Sequence, residues 1–240
     1  AMIEEYQIRK GITFDQRQRE AIASALQNKT CIITGGPGTG KTTIINAILD
    51  LAGQAGMEKV GLVAPTGRAA KRLQESSGHT GRTIHRYLGY NPQEGFLHHP
   101  DNPVEDELIV CDEASMLDTY LARNLVAALP KKARLILVGD VDQLPSVGAG
   151  NVLRDCIRSG MIPVTELDTI HRQEEGSWIV HNAHAVKNGR VGEINLSNRT
   201  RDFFWEDMAR KWPDLSAQER SHQLQKRILQ AMRGLQDRGY

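Results

Sequence analysis

CIITGGPGTGKTT, residues 31–43, is the stretch on which the reading of this chain turns. Four residues suited to a buried strand run into a glycine-rich turn, in which Gly35, Gly40, Lys41 and Thr42 stand at the spacing of a phosphate-binding loop. Glycines leave backbone N–H groups free to point at phosphate oxygens, Lys41 reaches the terminal phosphates, and Thr42 offers a hydroxyl to Mg²⁺. The apolar-periodic INAILDLA at 45–52 then continues as a helix, and a helix N-terminus favours an anion. Strand, loop and helix in that order outweigh the reading as a plain glycine-rich turn. Gly36, Pro37, Gly38, Thr39 and Thr43 complete the expected nucleotide-binding run, with ATP and Mg²⁺ as its ligands.

Similar apolar runs recur at VGLVA (60–64), LIVC (108–111), RLILV (134–138) and IPVTEL (162–167), with helix-like stretches between most of them. Such alternation predicts an α/β fold, a mostly parallel sheet flanked by helices. In an open parallel sheet the ligand lies beyond the carboxyl ends of the strands, so chemistry is expected just after each run. After LIVC come Asp112 and Glu113. A carboxylate there holds Mg²⁺ while its neighbour polarises an attacking water, which assigns Asp112 to the metal and Glu113 to the water. The plain alternative is that both cap a helix over ASMLDTYLARNLVAAL, 114–129. After RLILV comes GDVDQLPSV, which brings Gln143 into the same crevice. A neutral amide both donates and accepts, so Gln143 is suited to link a terminal phosphate or attacking water to a part that moves.

The 240 residues are 40% hydrophobic and 25% charged with a formal net charge of +1, which describes an ordinary globular chain of one or two domains. A near-neutral balance neither claims nor excludes a nucleic-acid partner. Cys31, Cys111 and Cys156 are odd in number and widely spaced, which suits thiols in a reducing compartment rather than a disulfide framework. His181 and His184 are spaced to share a helix face, but no acidic partner completes a metal motif. No apolar run approaches a membrane span, and AMIEEYQIRK lacks the organisation of a signal peptide, so a cytoplasmic protein is expected. Ala1 ahead of Met2 reads as a cloning remnant on a piece of something longer.

Taken in order, GGPGTGKTT, VAPTGRAAKRL, TIHRYLGY, VCDEASMLD, VGDVDQLPSVGAG and TIHRQEEGS resemble the successive motifs of RecD-like superfamily 1 DNA helicases, over roughly residues 12–205. DQLPSVGAGNVL and IHRQEEGSWIVHNAH look most like the stand-alone bacterial RecD type. The resemblance implies a RecA-like P-loop motor domain that couples ATP hydrolysis to 5′ to 3′ movement on single-stranded DNA and to unwinding, in repair or recombination. FDQRQREAI resembles the glutamine motif ahead of the phosphate loop, where Gln18 by spacing, with Gln16 as second candidate, would read the adenine edge. Arg172 matches the arginine that reaches the γ-phosphate, a task suited to a planar, always-charged guanidinium. Thr66 and Arg68 in PTGRAAKRL, and Thr83 and His85 in TIHRY, match DNA-contacting positions. Read without the resemblance, RAAKR is a solvated basic helix.

Residues 89–107, GYNPQEGFLHHPDNPVEDE, break the rhythm as a surface loop does. The family inserts a small β-hairpin here, a pin that splits the incoming duplex at a single-strand to double-strand junction, with Phe96 or His98 near its tip meeting a base. No segment after Arg172 resembles the later motifs of such helicases. The expected organisation is therefore a first motor domain over 1–205, followed by a helical segment over 206–240 that leads toward a second motor domain. In that segment Leu224, Ile228, Met232 and Leu235 share one helix face. The helicase part of a conjugative relaxase has similar motifs, and a non-catalytic nucleotide-dependent binding module is the alternative from another class. Intact Glu113, Gln143 and Arg172 argue against the latter.

Overall fold

The computed structural model describes residues 2–169, 178–187, 189–194 and 207–236. Contacts divide the chain into two compact units, Ala1–Arg172 and Gln173–Tyr240.

The first unit opens with helices α1 (Met2–Lys10) and α2 (Gln16–Gln27), which lead into strand β1 (Thr30–Gly35) and helix α3 (Lys41–Gln54). Strand β2 (Val60–Ala64), helix α4 (Gly67–Ser77), the short strand β3 (Gly81–Thr83) and the one-turn helix α5 (Ile84–Tyr87) follow. A two-stranded excursion, β4 (Tyr90–Asn91) and β5 (Gly95–Phe96), precedes β6 (Leu108–Cys111), α6 (Thr119–Ala127), β7 (Arg134–Gly139), α7 (Val152–Ser159) and β8 (Val164–Leu167). Six strands form one parallel sheet in the order β3-β2-β6-β7-β1-β8, and β4 pairs antiparallel with β5 apart from it.

Burial explains the strand sequences. β6 is buried at all four positions and β1 at its last five, so both read as unbroken apolar runs, as strands covered on two faces must. β8, on the edge, alternates: Val164 and Glu166 are exposed while Thr165 and Leu167 are buried. One core layer gathers Ile33, Val110, Ile136 and Val138 with Ile44, Ile48 and Leu51 of α3. The other gathers Ile32, Ile109, Leu135 and Leu137 with Leu121 and Leu125 of α6. Each such side chain, once fully buried, contributes on the order of 1.5–3 kcal/mol.

The helix expected over 114–129 begins later than the sequence suggested. Ala114–Met116 forms a single 3₁₀ turn, Leu117 is extended, and α6 starts at Thr119, where Asp118 caps it by accepting from the Leu121 N–H at 2.7 Å. Asp112 and Glu113 are therefore not the caps of α6, and that plain reading of the acidic pair is corrected.

In the second unit, α8 (Trp178–Lys187) precedes a 3₁₀ turn at Val191–Glu193, a single turn α9 (Met208–Lys211) and the long α10 (Ala217–Gln236). Ser216 and Glu219 cap α10 reciprocally. On α10 Leu224 and Ile228 of the expected apolar face are exposed, as is Leu229, while the side chains of Met232 and Leu235 lie outside the described residues. His181 stacks edge-on against Trp178 at 4.9 Å, and the side chain of His184 is outside the described residues. Among the described residues no helix is long and apolar enough to cross a membrane, and no group of three or more His, Cys, Asp or Glu side chains is placed to hold a metal.

Candidate active site

The carboxyl ends of β1, β6 and β7 open onto one cavity of about 570 Å³. Pro37, Gly38, Gly40, Lys41, Thr42 and Thr43 line it from the turn after β1 and the first residues of α3, Asp112 and Glu113 from the end of β6, and Gln143 from the loop after β7. Arg72, Leu73 and Ser76 of α4 form a further wall.

The turn owes its shape to Gly40, which sits in the left-handed region at φ 84° and leaves the start of α3 without a side-chain cap. The unpaired N–H groups of that first helical turn are an anion site in waiting. Gln18 holds the turn from behind. It is only 4% exposed, its Nε2 donates to the Thr39 carbonyl at 3.2 Å, and its Oε1 accepts from the Asp15 N–H at 3.2 Å. The side-chain oxygen of Asp15 accepts in return from the Gln18 N–H, so the capping box of α2 also fixes the phosphate loop. Gln16 is exposed and bonds to Glu20. Thr39 turns its hydroxyl inward to the Gly36 carbonyl at 2.9 Å, which leaves only its backbone for a ligand. Lys41 is folded back onto its own loop, donating to the carbonyls of Gly35 at 2.6 Å and Gly36 at 2.8 Å.

Burial dominates the electrostatics. It pushes the Lys41 ammonium below its ordinary range, against the pull of Asp140, Asp112 and Glu113. It pushes the Asp112 and Glu113 carboxyls up, and in Glu113 the charge of Asp112 adds to the rise. Neither carboxylate makes an ion pair among the described residues. Glu113 is also the sole described non-glycine residue at positive φ, 53°, a conformation that costs on the order of 1–3 kcal/mol and that surrounding structure must impose. The oxygens at this cavity fit a hard cation: the exposed Thr42 hydroxyl and the half-buried Asp112 carboxylate, whose Oδ1 accepts from the Glu113 N–H at 2.8 Å, are oxygen donors, and Mg²⁺ characteristically takes one or two protein ligands and leaves its remaining positions to water and phosphate.

Beyond β2 and β3, which pair side by side through Ala64 and Thr83, the expected nucleic-acid contacts gather. Thr66 caps α4 by accepting from the Ala69 N–H at 3.3 Å, and Thr83 caps α5 by accepting from the Arg86 N–H at 3.2 Å. Arg68 and His85 are exposed. The His85 ring meets Tyr90 at 5.4 Å and Phe96 at 5.9 Å, Phe96 meets Tyr90 at 4.9 Å, and Phe96 also meets Tyr120 of α6 at 6.0 Å. Phe96 is thus at the base of the hairpin, half-buried, and the turn at 92–94 forms its tip. His98 lies past the hairpin with Nδ1 3.2 Å from the Asn102 carbonyl. Both positions correct the expectation that these rings stand near the tip. Arg172 lies outside the described residues.

Asp140, Arg72, Tyr90 and Tyr120 were missed by sequence reasoning. Asp140 is buried, its charge acts on Lys41, and its Oδ1 accepts from the Asp142 N–H at 3.0 Å. Its position two residues after RLILV was the available signal. The loop that carries Gln143 exposes Leu144 and Val147 almost completely, at 87% and 104%. It then closes against α6, where Thr119 N–H bonds the Ala149 carbonyl at 2.9 Å and a Cβ on Gly148 or Gly150 would collide with Asp118 or Thr119.

A family model described as an AAA domain matches residues 13–203. The ATP-dependent RecD2 DNA helicase of Deinococcus radiodurans is 42% identical over 183 residues, 76% of this chain and 25% of that protein. The RecBCD enzyme subunit RecD of Mycolicibacterium smegmatis is 39% identical over 199 residues, 72% of this chain and 36% of that protein. The chain therefore spans about a quarter to a third of the length of the curated relatives it matches. Among solved structures, the Pif1 helicase from Candida albicans aligns with a TM-score of 0.56 at 21% identity, covering 73% of this chain and 44% of that one, a likeness of fold. With a phosphate loop, a strand-end acidic pair and a parallel six-stranded sheet on one side and these matches on the other, the chain belongs to the AAA domain family and is a homologue of RecD-type helicases.

Proposed function

We propose that this chain is the first motor domain of an ATP-driven DNA helicase, which moves 5′ to 3′ on single-stranded DNA and opens duplex at junctions, in repair or recombination in a bacterial cytoplasm. One observation carries the reading: Lys41, Thr42, Asp112, Glu113 and Gln143, drawn from three strand ends, line a single cavity. The two relatives are named as helicases or helicase-complex subunits and are three to four times as long as the stretch matched, which supports a second motor domain completing the site.

In this reading the backbone N–H groups of residues 40–43 and the Lys41 ammonium bind the phosphates of ATP, after Lys41 leaves the Gly35 and Gly36 carbonyls. Thr42 and Asp112 hold Mg²⁺, which when bound neutralises charge on the phosphate oxygens. Glu113 orients the attacking water and takes its proton, a role that a raised carboxyl suits. Gln143 bridges the terminal phosphate to the loop after β7, and Arg172 balances charge in the transition state. Gln18 keeps one amide N–H beyond its bond to Thr39, and that hydrogen is the one available to an adenine edge. Thr66 and Arg68 take DNA phosphates, Thr83 and His85 flank them, and the rings of Tyr90, Phe96 and Tyr120 stack bases, with His98, past the hairpin, as a further contact.

The test is fluorescence anisotropy of a labelled oligothymidine, with and without a non-hydrolysable ATP analogue and Mg²⁺. The analogue is expected to shift DNA affinity, and Lys41→Ala to abolish the shift. An analogue that binds while DNA affinity stays absent or indifferent would replace this reading with that of a nucleotide-dependent binding module.

A further inference from the structure

Arg72 is a cation at the nucleotide cavity that none of the roles above uses. It lines the cavity beside the phosphate loop and the acidic pair, and it makes no hydrogen bond or ion pair among the described residues. Its helix explains why it faces that way. α4 buries Ala70 and Leu73 against the sheet, and Arg72 and Ser76, one turn apart, both reach the cavity. Arg68, one turn before Arg72, and the cap Thr66 form the other end of the same helix. A helix rises about 1.5 Å per residue, so the two arginines are separated by roughly 6 Å of rigid rod.

Charge balance at the cavity leaves a place for this side chain. A triphosphate must enter past Asp112 and Glu113, and Lys41 alone among the lining residues of the phosphate loop is cationic. A guanidinium presents a planar fork of donors that matches two phosphate oxygens at once. We propose that Arg72 is a phosphate-binding residue of the nucleotide site, and that α4 links its engagement to the DNA-contacting end at Thr66 and Arg68. The inference rests on the ATP and DNA reading above and adds to it a residue and a route of coupling.

The experiment compares wild type, Arg72→Ala, Arg72→Lys and Lys41→Ala for binding of methylanthraniloyl-labelled ATP, ADP and AMP, with circular dichroism as the check on folding. Loss of a charge-assisted phosphate contact weakens ATP binding about tenfold. For Arg72→Ala the loss should fall from ATP to ADP and vanish for AMP, and Arg72→Lys should recover part of it. At saturating ATP analogue, Arg72→Ala should also lose the nucleotide-induced shift in oligothymidine affinity. Equal weakening of all three nucleotides would mark Arg72 as structural and overturn the proposal. So would wild-type ATP affinity in Arg72→Ala while Lys41→Ala is impaired, a result that spares the parent reading. Wild-type protein that binds none of the probes, or binds them without dependence on Lys41, sinks both.

Discussion

Alanine at Gly40 tests whether the helix before β1 holds the phosphate loop in shape. Two costs can be separated. A left-handed φ of 84° burdens an L-residue by roughly 1–2 kcal/mol. The new Cβ would also stand 2.5 Å from Gln18 Nε2, so the amide must withdraw from between Thr39 and Asp15. Its two bonds are long, at 3.2 Å each, and losing them costs about 1–2 kcal/mol in total at the lower half of the usual range. Gly40→Ala should therefore destabilise by roughly 2–4 kcal/mol, and Gln18→Ala by about 1–2 kcal/mol through the same two bonds. In the double variant those bonds are lost once, not twice. The pair should fall short of additivity by about 1–2 kcal/mol in urea unfolding of the four proteins at a common slope. Additivity to within about 0.5 kcal/mol would show that Gly40 and Gln18 act separately and would refute the argument.

Two further outcomes follow from the site. Glu113→Gln removes a half-buried charge that has no ion pair among the described residues, so the nucleotide-free protein should melt at a higher temperature at neutral pH. Because folding raises the Glu113 carboxyl, its ionisation costs stability only above the ordinary carboxylate range. The advantage of Glu113→Gln should thus fade as pH falls through that range, and an advantage that grew in acid would contradict it. Tyr120→Ala should weaken oligothymidine binding by about 1–3 kcal/mol, the worth of one stacked base, while Tyr120→Phe keeps it. Equal losses in both would point to the hydroxyl and away from stacking.

What could be read from the sequence was what local spacing encodes. The phosphate loop, the acidic pair and Gln143 each follow an apolar run, and the parallel sheet places such ends together. Strand β3, Gly-Arg-Thr, carries no apolar signal because it is a three-residue edge strand with an exposed centre. The start of α6 was misplaced because Ala114, Ser115 and Met116 suit a helix as well as a 3₁₀ turn, and the decisive cap is the later Asp118. Arg72 looked like part of a solvated basic helix, since which face of α4 meets the cavity depends on packing against the sheet. Tyr90 and Tyr120 are 30 residues apart in the chain and meet only through Phe96.

The loop from Asp140 to Gly150 has the mechanics of an arch. One foot is cemented by Asp140, whose carboxylate and carbonyl hold the N–H groups of Asp142 and Gln143. The other is keyed into α6, where Asp118 and Thr119 fill the space that side chains on Gly148 and Gly150 would need. Leu144 and Val147 stand at the crown. An arch with both feet set has no slack in which to lose a load. Force applied at the crown is borne at the springing points, and between the crown and the Asp140 foot stands the residue beside the cavity, Gln143.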